Sequence, residues 1–185
     1  MALLVMATAA EGIRGEADAR PNFELLMRQH ERLVLATALR LTGSMEDARD
    51  VGQEVFLKLY RNLDKVRASG AISSWLYRVT VNACYDLRRG RRPETPVEDM
   101  ESFAAADADP HRELAEGERR RVLELSLRML PEKERAALVL RDLEGLSTEE
   151  VARILGSSEA TVRSQISKAR VKVKGFVERY FGRRR

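Results

Sequence analysis

The chain is 185 residues long, with 44% hydrophobic residues, 34% charged residues and a formal net charge of +4 at pH 7. This composition predicts a soluble globular protein with one or two small cores, and five prolines and eleven glycines are too few for a low-complexity protein. The single cysteine, Cys84, excludes an internal disulfide, and no cysteine or histidine cluster has metal-ligand spacing, so we expect a cytoplasmic protein without metal or cofactor.

Residues 1–21 are predicted to be a loose leader. The opening MALLVMATAA is apolar, but it lacks a basic region and runs directly into Glu11, which disfavours a secretory signal peptide. Met6 is an alternative start of the chain. No other apolar run is long enough to cross a membrane.

Three amphipathic helices are predicted between Asn22 and Arg92. The first runs from Phe23 to Leu41, the second begins after an N-cap at Ser44, and the third covers about Ala71 to Arg89. Their predicted inner faces are Phe23, Leu26, Leu33, Ala36 and Leu39 in the first, Ala48, Val51, Val55, Leu59 and Leu63 in the second, and Ile72, Trp75, Leu76, Val79, Ala83 and Leu87 in the third.

The outer face of the third helix mixes aromatic, amide and charged side chains. Its members are Tyr77, Arg78, Asn82, Tyr85, Asp86 and Arg88. This mixture suits stacking on unpaired bases and holding a nucleic-acid backbone. An ordinary solvated face has a similar composition, so composition alone leaves both interpretations open.

An acidic segment at 93–110 follows this helix. It holds six acids, three prolines and no lysine or arginine, whereas residues 86–92 hold four arginines and one acid. Because such a segment has few residues that can build a core, we predict a flexible linker between a first domain at 22–92 and a second at 111–185. Fully extended, it would reach roughly 60 Å and let the domains engage separate sites on one duplex.

Two short helices joined by a glycine turn are predicted between Leu146 and Lys174. Ser147 and Glu150 form a capping box, Gly156 ends the first helix, and Ser158 caps the second. Helical spacing places Val151, Ala152, Leu155, Val162, Ile166 and Ala169 inside and leaves Arg163, Ser164, Ser167, Lys168 and Arg170 outside. This pattern is typical of a helix-turn-helix whose outer face fits a DNA major groove.

The charge of the carboxyl-terminal segment favours the same partner. Residues 163–185 carry nine lysines or arginines and one acid, Glu178. A local excess of this kind indicates a polyanion, because neutralising phosphates releases their counterions.

Three motifs carry a family resemblance: EDARDVGQEVFLKLYRNLDKV (46–66), SSWLYRVTVNACYDLRRGRR (73–92) and LPEKERAALVLRDLEGLSTEEVARILGSSEATVRSQISKAR (130–170). In order and spacing they resemble bacterial RNA polymerase sigma factors of the sigma-70 family, extracytoplasmic-function group. The resemblance implies an all-α fold with a region 2-like and a region 4-like domain. It also implies a non-catalytic initiation subunit that binds core polymerase, promoter DNA and, commonly, an anti-sigma protein; we expect a monomer when free.

The resemblance implies roles for residues of the first domain. The helix that docks on the polymerase clamp would present Asp50, Gln53, Glu54 and Leu57. The segment from Asp64 to Ser73, with Lys65, Arg67, Ser69 and Gly70, resembles the loop that captures a flipped minus-ten base. The residues that resemble those meeting the melted strand and upstream duplex are Arg78, Asn82, Asp86, Arg88, Arg89, Arg91 and Arg92. Trp75 is expected to be mainly core.

In the second domain, the helix that begins at Glu159 resembles the one that reads the minus-35 element. Arg163 is expected to pair with a guanine edge through two hydrogen bonds, and Lys168 to do so less rigidly. Thr161, near the start of the helix, is expected to contact the DNA backbone, and Ser164 and Ser167 to contact bases or phosphates. Arg170 is the remaining expected DNA contact.

Three features depart from the family pattern. Gly52 lies within a helix where relatives usually have a larger residue, which indicates either close packing or a weaker helix. Gln165 stands where many relatives have arginine, so the preferred promoter is left open. The acidic linker is either a solvated tether or a mimic of the RNA path in a basic channel of the polymerase.

Other classes of protein explain less of the sequence. An enzyme is disfavoured because no phosphate-binding glycine loop, no HExxH and no nucleophile with a nearby histidine is present. The main alternative is an operator-binding helix-turn-helix regulator, with the first domain as sensor or dimerisation unit. A helical adaptor for an acidic protein leaves the resemblance in both domains unexplained.

Overall fold

The computed structural model describes residues 20–90 and 110–182. The predicted leader, nearly all of the acidic linker, Arg91 and Arg92 therefore lie outside the described residues. Every regular element in the two ranges is helical, as the sequence predicts: α1 (Arg20–Thr42), α2 (Met45–Arg61), α3 (Leu63–Ala68), α4 (Ile72–Gly90), α5 (Pro110–Arg128), α6 (Glu132–Leu138), α7 (Thr148–Leu155) and α8 (Glu159–Gly182). We refer to α1–α4 as the first domain and to α5–α8 as the second domain.

Helix α1 is contacted on two sides. It packs against α2 and α4 of the first domain and against α5 and α6 of the second. Its fully buried residues are Val34, Thr37, Ala38 and Leu41, whereas Phe23, Leu26, Leu33 and Leu39 of the predicted stripe are only partly buried. The predicted stripe therefore lies to one side of the most buried residues of α1. Those residues lie between helices of both domains, and the periodicity of α1 does not reveal its contacts with the second domain.

Helix α2 begins and packs as predicted. The Ser44 hydroxyl accepts the backbone N–H of Asp47 at 3.3 Å, and the inner face from Ala48 to Leu59 is buried. A Cβ added at Gly52 would lie 3.0 Å from Cδ2 of Leu35 on α1. Close packing of α1 on α2 thus accounts for Gly52, although a glycine at this position also lowers the helix propensity of α2.

The predicted minus-ten loop is partly helical. Helix α2 ends where the Asn62 side chain donates to the Lys58 carbonyl at 2.9 Å, and α3 follows at once. Leu63 and Val66 are buried one helical turn apart, which holds α3 against the first domain. The prediction of a loop from Asp64 onward was wrong as far as Ala68, and the turn begins only at Ser69.

Helix α4 is buried on more of its surface than its sequence predicts. Leu76 and Ala83 are buried as expected, and Trp75 is partly buried against the core. Tyr77, which we placed on the outer face, is only 6% exposed. That placement was wrong because the second domain covers this side of α4, with α7 packed against it.

The helix-turn-helix is confirmed in detail. Ser147 and Glu150 form the reciprocal capping box at 2.8 and 3.2 Å, and Gly156 ends α7 in the left-handed conformation with φ of 59°. The Ser158 hydroxyl accepts the Thr161 backbone N–H at 3.1 Å and so begins α8. The predicted inner residues are buried apart from Leu155, which is partly buried.

The two domains pack against each other around one continuous group of buried side chains. Leu41 of α1 belongs to the same cluster as Leu127 of α5 and Leu130 in the turn after it. Between α6 and α7 the chain makes a π-helical turn, Val139–Leu143, which also contacts α1. The chain therefore has a closed arrangement, in which its two domains are in direct contact.

Gly156→Ala should weaken the second domain, because a side chain in the left-handed region costs about 1–2 kcal/mol. A Cβ there meets no atom within 4 Å, so the loss would report backbone conformation alone. Urea unfolding should show a lower free energy of unfolding. Gly117→Ala is the matched control, since Gly117 lies exposed within α5 with no atom near its added Cβ, and it should gain up to about 1 kcal/mol. Equal effects of both substitutions would contradict the assignment.

Candidate nucleic-acid and polymerase interfaces

The amino-terminal half of α8 presents an open polar face. Thr161, Arg163, Ser164, Ser167 and Lys168 are all exposed, as predicted. The Arg163 guanidinium donates to the Glu159 carboxylate one turn earlier at 3.1 Å, and the Thr161 hydroxyl lies 2.9 Å from that of Ser158. Lys168 forms no ion pair with any residue in the described ranges. The helix-turn-helix thus leaves these groups accessible from solvent.

Arg170 differs from the rest of this set. Its guanidinium donates to both oxygens of Asp142, at 2.6 and 2.8 Å, and this hydrogen bonding raises the pKa of Arg170. Two residues further along α8, Lys172 donates to Glu134 at 2.8 Å. Arg170 is exposed but bound within the second domain, so it anchors α8 to the π turn in addition to any DNA contact. Gln165 lies half-buried beside the open face.

The predicted minus-ten residues of α4 divide into two groups. Asn82, Asp86 and Arg89 lie exposed along one face, where Arg89 pairs with Asp86 at 3.5 Å. Arg78 and Arg88 are exposed as well, but each also contacts the second domain. The Arg78 guanidinium donates to the Arg153 carbonyl of α7 at 2.9 Å, and Arg88 lies 3.6 Å from the Glu132 carboxylate of α6.

The short turn after α3 is the remaining part of the predicted base-capturing loop. Lys65 and Arg67 are exposed on α3, and Gly70 has φ of +65°. The Ser69 hydroxyl donates to the Val66 carbonyl at 2.6 Å and accepts the Ala71 N–H at 3.3 Å. The turn is therefore internally bonded, and its two cations project from the preceding helix.

The predicted polymerase-binding stripe on α2 is open. Asp50, Gln53 and Glu54 are exposed, and Glu54 pairs with Lys58 at 2.5 Å. Leu57 is 46% exposed on the same face of α2 as these polar groups. An apolar side chain in a polar stripe gives a partner both a hydrophobic anchor and a charged rim.

Several polar residues between the domains were not singled out by the sequence. Arg135 is 2% exposed, and its guanidinium donates to the carbonyls of Leu41, Arg128 and Leu130 at 2.6 to 3.0 Å. Burial lowers the pKa of Arg135 to about 10, so the side chain stays charged at neutral pH. The only signal in the sequence that could have identified Arg135 as buried is its spacing, because it lies three residues before the buried Leu138.

A carboxylate of the second domain completes this set. The Glu144 side chain accepts hydrogen bonds from Arg40 of α1 and, at 3.0 Å, from the Tyr77 hydroxyl of α4. Burial and the adjacent Glu144 raise the pKa of Tyr77. No local pattern in the sequence marks these three residues as neighbours.

Across the part of the chain that the structure describes, the side chains form no group of three or more histidines, cysteines or acids that could hold a metal ion.

In residues 20–90 and 110–182, no helix has the length and apolar character needed to cross a membrane.

Family models match both halves of the chain. Residues 26–94 match Sigma-70 region 2, and residues 120–173 match Sigma-70, region 4. The first match covers α1 to α4 apart from the start of α1, and the second includes the whole helix-turn-helix.

Known sigma factors are similar over most of the chain. The ECF RNA polymerase sigma factor SigE of Mycolicibacterium smegmatis is 36% identical over 176 residues, which cover 94% of this chain and 68% of that protein. The RNA polymerase sigma-H factor of Pseudomonas aeruginosa is 35% identical, covering 85% of each chain. The ECF RNA polymerase sigma-E factor of Escherichia coli K12 is 36% identical, covering 80% of this chain and 82% of its own.

Solved structures show the same fold. The sigma factor RpoE in complex with the anti-sigma factor NepR from Bartonella quintana has a TM-score of 0.67 at 20% identity, covering 85% of this chain and 97% of its own. CnrH in complex with the cytosolic domain of CnrY has a TM-score of 0.62 at 27% identity, covering 95% and 96%. With two matching regions and relatives similar over most of its length, the chain belongs to the sigma-70 family of RNA polymerase sigma factors, in its extracytoplasmic-function group.

Proposed function

We propose that this chain binds core RNA polymerase through the α2 stripe, reads the minus-35 element through α8, and holds opened minus-ten DNA through α4 and the turn after α3. It performs no chemistry of its own, because nucleotide addition belongs to the polymerase. The assignment keeps the domain limits 22–92 and 111–185, with 93–110 as the linker.

The open face of α8 is the observation that carries this proposal. The ion pair of Arg163 with Glu159 is exposed and one turn apart, so breaking it costs only about 0.2–0.5 kcal/mol. A bidentate contact with guanine is worth roughly 1–3 kcal/mol in discrimination against the wrong base. The exchange therefore favours DNA, and Arg163 is free to leave Glu159 when the correct base is present.

Helix α4 supplies the groups for unpaired DNA. Asn82 offers an amide to base edges, and Arg89 offers a cation to phosphates once it leaves its exposed pair with Asp86. Lys65 and Arg67 add positive charge next to the Ser69 turn. Extruding a base from the stack costs a few kcal/mol. The contacts of α4 and the Ser69 turn offset this cost only when they already hold the DNA strand.

Leu57 anchors the polymerase in this proposal. Full burial of a leucine side chain contributes about 1.5–3 kcal/mol, and Leu57 is close to half-exposed, so about half of that remains available to a partner. CnrH, a structural neighbour of this chain, is in complex with the cytosolic domain of CnrY, and the neighbour RpoE is in complex with the anti-sigma factor NepR, so we also propose an anti-sigma protein for this chain. Such a protein would compete with polymerase for the same face.

Run-off transcription with purified bacterial core polymerase on fragmented genomic DNA tests the function directly. Adding the protein should produce new discrete transcripts, because it supplies both promoter contacts. An operator-binding regulator would give none, and would instead shift duplex DNA by itself as a dimer. That result would replace the proposal.

Leu57→Ala should weaken binding to core polymerase about tenfold and leave the free energy of unfolding nearly unchanged, because the lost apolar contact forms only in the complex. Binding would be measured by titration of labelled protein with core polymerase. Leu25→Ala makes the same change at a leucine that is 56% exposed on α1, outside the stripe, and should bind normally. Equal loss in both variants would rule out a specific anchor at Leu57.

Arg163→Ala should relax promoter selection at one position of the minus-35 element, at a cost of about 1–3 kcal/mol for the preferred base. Sequencing the start sites of run-off transcripts would show this as a broadened base distribution. Arg153→Ala is the matched control, since Arg153 is also an exposed arginine paired with a glutamate one turn earlier. Arg153→Ala should change transcription from all promoters alike or leave it unchanged. A broadened base distribution in both variants would contradict the base-reading role of Arg163.

A further inference from the structure

An apolar groove lies in the second domain, between α5, α6 with the π turn, and the carboxyl-terminal half of α8. Its volume is 340 Å³, which is within the roughly 300–1,000 Å³ of pockets that hold ligands. Among its apolar side chains only Leu138 is buried, and the others remain partly exposed. The groove therefore offers apolar surface that the described residues leave uncovered. These side chains are Leu123, Leu138, Leu143, Val173 and Val177.

The edge of this groove carries an excess of positive charge. The Lys174 side chain lines the groove, is 78% exposed and pairs with Glu178 across 3.8 Å in solvent. Arg170 also lines the groove, where it is bound to Asp142. Over residues 170–182, α8 carries four lysines or arginines and one acid, a net charge of +3. An occupant with apolar anchors and surrounding acids would complement this surface.

Residues 95–106 of the same chain, outside the described residues, have this composition. Thr95, Pro96 and Glu98 form the pattern of a helix start, with a capping threonine, proline at the first helical position and glutamate at the third. An isolated helix of this length is marginal in water, so it needs a surface on which to fold. At helical spacing its apolar side chains share one face and its acids the other: Val97, Met100, Phe103 and Ala104 against Glu98, Asp99 and Glu101.

The connection to α5 has the length needed to bring this segment to the groove. Helix α5 begins at Pro110 and reaches Leu123 about 20 Å further along its axis. The chain from Phe103 to Pro110 spans up to about 25 Å when extended. Residues 104–109 are all alanine or aspartate, so Phe103 is the first large apolar side chain before α5. The chain can therefore turn back along α5 and bring Phe103 beside Leu123.

We propose that residues 95–106 of the free protein fold into this groove as a short helix, with Met100 and Phe103 between α5 and α8 and the acids beside Lys174. The occupant of the groove is thus a segment of the chain's own linker. A short tether gives the segment an effective concentration in the millimolar range, so any other protein that uses the groove has to displace it. The inference rests on the groove and the linker, and does not depend on the function proposed above.

Electron-spin distance measurements on the full chain test the docking. Spin labels on Ser102→Cys, which lies among the acids of the segment, and on Val171→Cys of α8, which is 70% exposed and does not line the groove, report their separation. The native Cys84 should not react, because it is 1% exposed and burial raises the pKa of its thiol to about 12. We expect one narrow distance distribution, and a broad one would overturn the proposal.

Substitutions on both sides of the contact identify its basis. Phe103→Ser should broaden the distribution, whereas Ala105→Ser, on the acidic face of the segment, should not. Lys174→Glu at the groove should also broaden it, whereas Lys168→Glu makes the same charge change on α8 at an exposed position outside the groove and should not. A narrow distribution in Phe103→Ser, or equal broadening in the two lysine variants, would contradict docking in the groove.

A mixture of singly labelled chains separates the chain's own segment from that of a second copy. We expect no spin coupling in this mixture, and coupling would show that the groove takes the segment of another chain, which would overturn the proposed occupant.

Competition by a peptide tests the consequence for other partners. A fluorescent peptide of residues 95–106 should bind the full chain carrying Met100→Ser and Phe103→Ser about tenfold or more tightly than the unchanged chain, because the unchanged segment competes at millimolar effective concentration. Adding Lys174→Glu to that double variant should weaken peptide binding, and adding Lys168→Glu should not. Equal affinity of the peptide for the unchanged chain and the double variant would overturn the occupancy of the groove.

Discussion

The arrangement of the chain depends on one buried cation, the guanidinium of Arg135. A charge removed from water destabilises a fold unless its hydrogen bonds are met, and in the described ranges no carboxylate lies within ion-pairing distance of this one. Carbonyls at the ends of α1 and α5 meet the charge instead. The Leu41 carbonyl comes from the first domain, so the guanidinium keeps all three of its acceptors only while α1, α5 and α6 stay together, and even then its buried Nε has no hydrogen-bond partner.

Helix α4 shows how this closure bears on function. One face packs in the core of the first domain, a second carries Asn82, Asp86 and Arg89 into solvent, and a third holds Tyr77 against the second domain, which the exposed Arg78 also contacts. Because three faces of α4 have distinct surroundings, few of its residues can be replaced without loss of a contact. It also means that the contacts between domains use side chains adjacent to those that we propose to contact DNA.

Local signals were enough to predict the helix-turn-helix, since Ser147, Glu150 and Gly156 act within a few residues of each other in sequence. They also marked α2 and its inner face. Contacts between distant segments were not predictable in this way: Tyr77 has the spacing of an outer residue, and only the packing of α7 buries it. For the same reason the bond of Arg170 to Asp142, 28 residues away, was missed, and the predicted stripe on α1 was displaced. Gly52 was correctly recognised as unusual, but only the position of Leu35 decides why.

Because arginines of the second domain cap the end of α1, the two domains cannot be studied as separate fragments without loss of contacts. Because Arg128 and Arg135 complete the end of α1, a fragment holding the first domain alone would lose these partners at Leu41 and Gly43. The last turn of α1 would then fray into solvent. In a second-domain fragment, Arg135 would keep the Arg128 and Leu130 carbonyls but lose that of Leu41. Each half cut from the chain would thus understate the stability that it has in the whole.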